Sequence, residues 1–109
     1  MNEVPPGVDH DQVDLLRELF GSSFADTLTV WLETTEQDLS RLARAAATGS
    51  LDDVRQAAHS VKGAASNMGA SALAEAALAV ELADDLPSTD VVASLGDLLR
   101  RTHRYLSRP

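Results

Sequence analysis

Cysteine is absent from the 109-residue chain, so neither a disulfide nor a thiolate metal site can form, and redox compartment is left open. Proline is confined to positions 5, 6, 87 and 109, and aromatic residues make up 4%. The regularly spaced turns and the β-branched or aromatic runs of a β protein are therefore missing. No apolar run approaches the roughly 18 residues that a membrane-spanning helix needs, and residues 1–7 lack the basic start and apolar stretch of a signal peptide. The expected location is the cytoplasm. Basic charge is also scarce, with 9 Lys+Arg against 17 Asp+Glu and a net charge of −8. Nucleic acid and anionic membranes, which are bound chiefly through basic patches, are not expected partners.

What remains is a chain in which 44% of residues are apolar, a length that suits one domain. A chain of this size buries roughly two-thirds of its unfolded surface, enough for a core without staples. The expected organisation is a flexible leader over residues 1–8 and a single helical domain over 9–109.

The apolar residues recur at helical spacing in five segments. Val13, Leu16 and Phe20, with Leu15 and Leu19 beside them, mark a short helix near 10–20 that ends at Gly21. Ser22 or Ser23 can cap a long second helix carrying Leu28, Leu32, Thr35, Leu39, Leu42 and Ala46, closed by Gly49. Ser50 and Asp53 resemble a capping box, and Leu51, Val54, Ala58, Val61, Ala65 and Met68 then form the cleanest stripe in the chain, ending at Gly69. Ser71 restarts a helix with Leu73, Ala76, Ala77, Val80 and Ala83, its buried face widened by Leu78 and Leu82, running out at Leu86 and Pro87. Ser88 or Asp90 caps the last, which carries Val91, Leu95, Leu98, Thr102 and Tyr105, with Val92, Leu99 and Leu106 alongside. Short links between long amphipathic helices make antiparallel neighbours. The fold class expected is all-α: an antiparallel up-down four-helix bundle with a short extra N-terminal helix.

Of the three histidines, His10, His59 and His103, only His59 stands in a suggestive context. At about 100° per residue it lies about 130° from the centre of the third helix's apolar stripe, so it faces solvent. Lys62 and Gly63 follow at three and four residues, which puts an ammonium and a missing side chain in the neighbouring turn, and Arg55 lies one turn before. A glycine inside a patterned helix costs about 1 kcal/mol relative to alanine, so Gly63 implies a demand for room. An exposed imidazole beside a cation and a bare patch can act as a nucleophile toward an anionic group. His59 lies ten residues before Gly69 and Glu81 ten after Ser71, so both sit about 15 Å from the turn. If the rotations agree, the Glu81 carboxylate accepts from Nδ1–H and leaves Nε2 free.

Other polar groups read more plainly. His10 and Asp14 are two ligands at most, too few for a metal site. His103 with Arg100, Arg101 and Arg104 suits a helix C-terminus, and Trp31 lies beside the core stripe. No phosphate loop, nucleophile–base pair or two-metal carboxylate set is visible, so no independent catalytic activity is expected.

The run from Ala58 to Gly69, with His59, Lys62, Gly63 and Gly69 at its fixed points, is followed by Ala70, Leu73 and the segment Val80, Glu81, Leu82, Ala83. This pattern resembles the signature of histidine-containing phosphotransfer (HPt) domains, and the resemblance covers essentially everything after the leader. It implies a phosphocarrier of two-component phosphorelays that accepts a phosphoryl group on His59 and exchanges it with the aspartate of a response-regulator receiver domain. A receiver, a hybrid sensor histidine kinase, or both are the implied partners. Lys62 would contact the phosphoryl oxygens and Gly63 would admit the receiver. The position 22 after the histidine is often Gln in relay members, whereas Glu81 here is familiar from chemotaxis-type kinases, which leaves the donor open between a kinase domain and a receiver. No cofactor of the chain's own is implied, magnesium being expected on the receiver only, and the chain is expected to be a monomer. The docking face would be an apolar patch around His59 on the side opened by Gly63, drawing on Arg55, Ala64, Ser66, Asn67, Leu15 and Leu19. The alternative from another class is a helical adaptor that regulates a kinase or receiver without carrying phosphate.

Overall fold

The computed structural model describes residues 7–108. Its elements are α1 (His10–Phe20), a 3₁₀ turn (Gly21–Ser23), α2 (Phe24–Thr48), α3 (Leu51–Met68), α4 (Ser71–Leu82) and α5 (Thr89–Leu106). Among the described residues there is no strand, and no helix is long and apolar enough to cross a membrane. Helices α2 to α5 form an antiparallel bundle in which α3 packs between α2 and α4 while α5 closes the ring against both. The fold class is the all-α bundle that the apolar spacing predicts.

Caps and glycines set the helix limits. Asp9, Ser50 and Ser88 each accept a backbone N–H of the first turn, from Gln12, Asp53 and Val91. This satisfies donors that the helix itself leaves without partners. Gly49 and Gly69 stop α2 and α3 in the left-handed conformation, with φ of 81° and 78°. Their N–H groups return to the last turn, and the chain reverses within two residues.

The core runs along the bundle axis, with Leu42, Val54, Val61, Leu73, Leu95 and Leu99 sealed from solvent. Each such side chain contributes about 1.5–3 kcal/mol by burial. Two hydroxyls lie among them. Thr35 and Thr102 donate to the carbonyls of Trp31 and Leu98 at 2.7 and 2.6 Å, so neither is buried without a partner.

Helix α1 lies across the end of the bundle where α3 turns into α4. The Asp9 N–H donates to the Gly69 carbonyl at 2.8 Å, Gln12 Nε2 to that of Asn67 at 3.1 Å, and Arg17 Nη2 to that of Leu106 at 2.9 Å. Residues 1–6 of the expected leader lie outside the described residues. Gly7 and Val8, its last two, are tied to the bundle: the Gly7 carbonyl accepts from Ala72 N–H, and Val8 packs on the core.

The structure departs from the sequence pattern in several places, the exposed Phe20 and Val91 among them. Neither Ser22 nor Ser23 caps α2, because the 3₁₀ turn leads straight into it and leaves Ser23 with helical dihedrals instead of the extended ones of a cap. Helix α4 stops at Leu82, not Leu86: Ala83 is extended, and the Arg55 guanidinium of α3 takes its carbonyl at 2.9 Å. Leu78 and Leu82 do not widen the buried face. Leu82 is 70% exposed and Leu78 also faces water, since α4 is apolar nearly all round while only Leu73, Ala77 and Val80 are buried.

Candidate functional site

His59 stands at the middle of α3, opposite the stripe of Val54, Ala58, Val61 and Ala65 that is buried in the core. Its side chain is 66% exposed, and its Nδ1 lies 2.9 Å from Glu81 Oε2 on α4. The two residues placed at one height by counting from the α3–α4 turn thus meet. A carboxylate only accepts, so the contact assigns the proton to Nδ1 and leaves Nε2 as the ring's lone-pair nitrogen. No hydrogen bond engages Nε2 among the described residues.

Glu81 serves two partners. Its side chain is 22% exposed, and Lys62 Nζ lies 3.2 Å from Oε1, the oxygen that does not face the ring. Oε1 is closed off from water and makes no aligned hydrogen bond, so charge more than direction holds the ammonium there. Partial desolvation acts to raise the Glu81 pKa, but the Lys62 ammonium and the His59 ring outweigh it by contact and charge. The pKa falls below its ordinary value. Lys62 therefore reaches across to α4 instead of lying along α3 beside the imidazole.

At Gly63 an added Cβ would meet nothing within 4 Å. Nothing inside the molecule requires glycine there, and the room it leaves opens outward. Beside it, Ala64 is half-buried, and its carbonyl accepts from Trp31 Nε1 at 2.9 Å, which pins α2 to α3. Trp31 is buried as the core stripe implied, and it also fixes helix register.

The candidate docking residues divide into separate places. Ser66 and Asn67 are exposed on the same outward face as Gly63, nearer the bundle end. Leu15 and Leu19 are exposed on α1, which joins that end through Gln12 and the Asn67 carbonyl. Asn67 is eight residues from His59, about 12 Å along the helix. Arg55 is committed elsewhere, to the Ala83 carbonyl, with Asp84 Oδ1 4.0 Å away.

Composition and spacing did not single out Arg41, Gln56 and Ser60. They line a hollow of about 450 Å³ with Arg55, His59 and Glu81, open to solvent beside the imidazole. Only the register of α2 against α3 brings Arg41 there, and the signal that could have found it is the pairing of heights used for His59 and Glu81, applied to the α2–α3 turn.

The arrangement presents a ring nitrogen to solvent, with a carboxylate behind the ring whose negative charge can stabilise positive charge developing there. The family model described as Hpt domain matches residues 26–105, which takes in nearly all of α2, the whole α3–α4 hairpin and α5 as far as Tyr105. A search of curated proteins and a search of solved structures return no match.

Proposed function

The chain belongs to the Hpt domain family, and we propose from that premise that it is a phosphocarrier whose acceptor is Nε2 of His59. The observation that carries the reading is the 2.9 Å contact of Nδ1 with Glu81 on a ring that is 66% exposed.

In the forward step the Nε2 lone pair attacks the phosphorus of an acyl phosphate on a receiver aspartate. The N–P bond forms as the O–P bond breaks, and the electron pair of that bond leaves on the aspartate carboxylate. The Nδ1 proton stays on the ring, where the Glu81 carboxylate stabilises the positive charge. Transfer back to an aspartate runs through the same atoms. Lys62 keeps Glu81 ionised and adds a positive charge near the ring, on the Glu81 side. Gly63 leaves clearance for the receiver's loops, and Ala64, Ser66 and Asn67 form the face they meet, with Leu15 and Leu19 at its far end and Arg55 bracing α4. Magnesium belongs to the receiver, and the chain brings no cofactor of its own. In this division of labour it supplies a positioned nucleophile and a surface, acting as a monomer in the cytoplasm.

The test is to mix the chain with a receiver charged by a small phosphodonor. Label that survives base and is lost in acid marks a phosphoramidate, and it is expected on the wild type but not on His59→Gln. Label retained by that variant overturns the assignment.

A further inference from the structure

With Nδ1 turned to Glu81 on the α4 side, Nε2 of His59 points the other way, because the two ring nitrogens face nearly opposite directions. Lys62 stays on the Glu81 side, 3.2 Å from Oε1. A phosphoryl group on Nε2 therefore extends from the side of the ring that does not face Glu81 Oε2. The hollow of about 450 Å³ beside the ring is roomy for such a group, and it is lined by Arg41 from α2, by Arg55, Gln56 and Ser60 from α3, and by Glu81 from α4.

The cations around His59 are not equally available. Arg55 is spent on the Ala83 carbonyl and Lys62 on a shielded oxygen of Glu81. Arg41 is 49% exposed, and its ion pair is with Asp38 at 2.9 Å, three residues away on its own helix. Asp38 is only 15% exposed, and its contact engages Nη1 of the guanidinium; the fork has five N–H donors and meets phosphoryl oxygens with charge-assisted hydrogen bonds of about twice the neutral strength. A dianion in the hollow is met by the N–H donors of Arg41 that Asp38 does not engage.

We infer that Arg41 is a phosphoryl-binding residue: with the group on His59 Nε2, its guanidinium holds the phosphoryl oxygens in the hollow that Arg41 and His59 both line. This rests on His59 being the acceptor.

The experiment follows the phosphorus resonance of the full chain, labelled with a small phosphoramidate donor, through a pH titration. A neighbouring cation favours the dianion, so Arg41→Gln is expected to raise the midpoint of the phosphoryl titration by roughly half a unit or more, and Arg41→Lys to restore much of it. A merely structural role for Arg41 would leave that midpoint unmoved. Lys62→Gln is expected to shift it less than Arg41→Gln does. If every chain takes label and the wild-type and Arg41→Gln titrations coincide, or Lys62→Gln alone accounts for the shift, Arg41 does not hold the group. If wild type takes no label, or His59→Gln takes it, the acceptor assignment itself fails and this inference with it.

Discussion

The indole of Trp31 donates to the carbonyl of Ala64 at 2.9 Å, so the longest helix of the bundle is bonded to α3 one residue past Gly63. Replacing Trp31 by Phe keeps an aromatic ring in the core and removes the donor. A net hydrogen bond is worth about 0.5–1.5 kcal/mol, and the loss of stability in urea unfolding followed by circular dichroism is expected in that range or somewhat above it, because the smaller ring also leaves space. An unchanged midpoint would mean that the bond does not secure the two helices.

The Glu81 carboxylate lies 2.9 Å from Nδ1 of His59, a charge-assisted contact of a class worth about 1.5–3 kcal/mol. If that sum is felt in the transition state, Glu81→Ala slows transfer from a charged receiver roughly ten- to hundredfold. Nitrogen NMR of the His59 ring is expected to show a mixture of tautomers in the variant and a single one in wild type. Identical spectra would remove Glu81 from the site.

The Glu81 pKa lies below its ordinary value because Lys62 and His59 outweigh partial desolvation. For a depressed carboxyl, the stabilising contact is fully present above the unfolded-state pKa and is lost as pH falls through the folded one. The ring contact is thus expected to persist through neutral and mildly acidic pH and to fail only below the ordinary carboxylate range. Lys62→Met should move the Glu81 carboxyl midpoint upward in a carbon-detected titration. A midpoint that stays put would show that the ammonium at 3.2 Å contributes no field.

Because an added Cβ at Gly63 meets nothing within 4 Å, Gly63→Ala is expected to gain about 0.5–1 kcal/mol of stability from helix propensity. Gly63→Leu should fold as well, take label from a small phosphoramidate at the wild-type rate, and exchange slowly with a receiver. Equal rates with the receiver would show that no partner uses the clearance.

Leu82, 70% exposed, offers a plainer check. Its replacement by Ser is expected to change stability by no more than about 0.5 kcal/mol, as for other surface positions. A cost of core size would contradict the exposed face of α4.

Much of this arrangement was legible in the sequence because it depends on local rules. The caps at Ser50 and Ser88, the stops at Gly49 and Gly69, and the outward direction of His59 all follow from periodicity and backbone chemistry within one helix. The height match of His59 and Glu81 needed only one short turn. The end of α4 was hidden, because it is settled by Arg55 reaching over from α3. Leu78 and Leu82 were misread as buried because a helix with apolar residues on every side has no strong direction. The reach of Lys62 to Glu81 is a rotamer choice that spacing does not encode. Arg41 and its hollow depend on how α2 slides against α3, which the Trp31 indole helps to fix.

His59 and Glu81 stand on different helices, linked by the single reversal at Gly69 and Ala70. That turn works as the hinge pin of a caliper whose jaws are His59 and Glu81. Slipping one residue into α4 between Ser71 and Glu81 would swing the acid by about 100° and push it about 1.5 Å along the axis. The imidazole would then lose its carboxylate neighbour although neither residue had been altered, so the spacing of this hairpin is what brings the pair together.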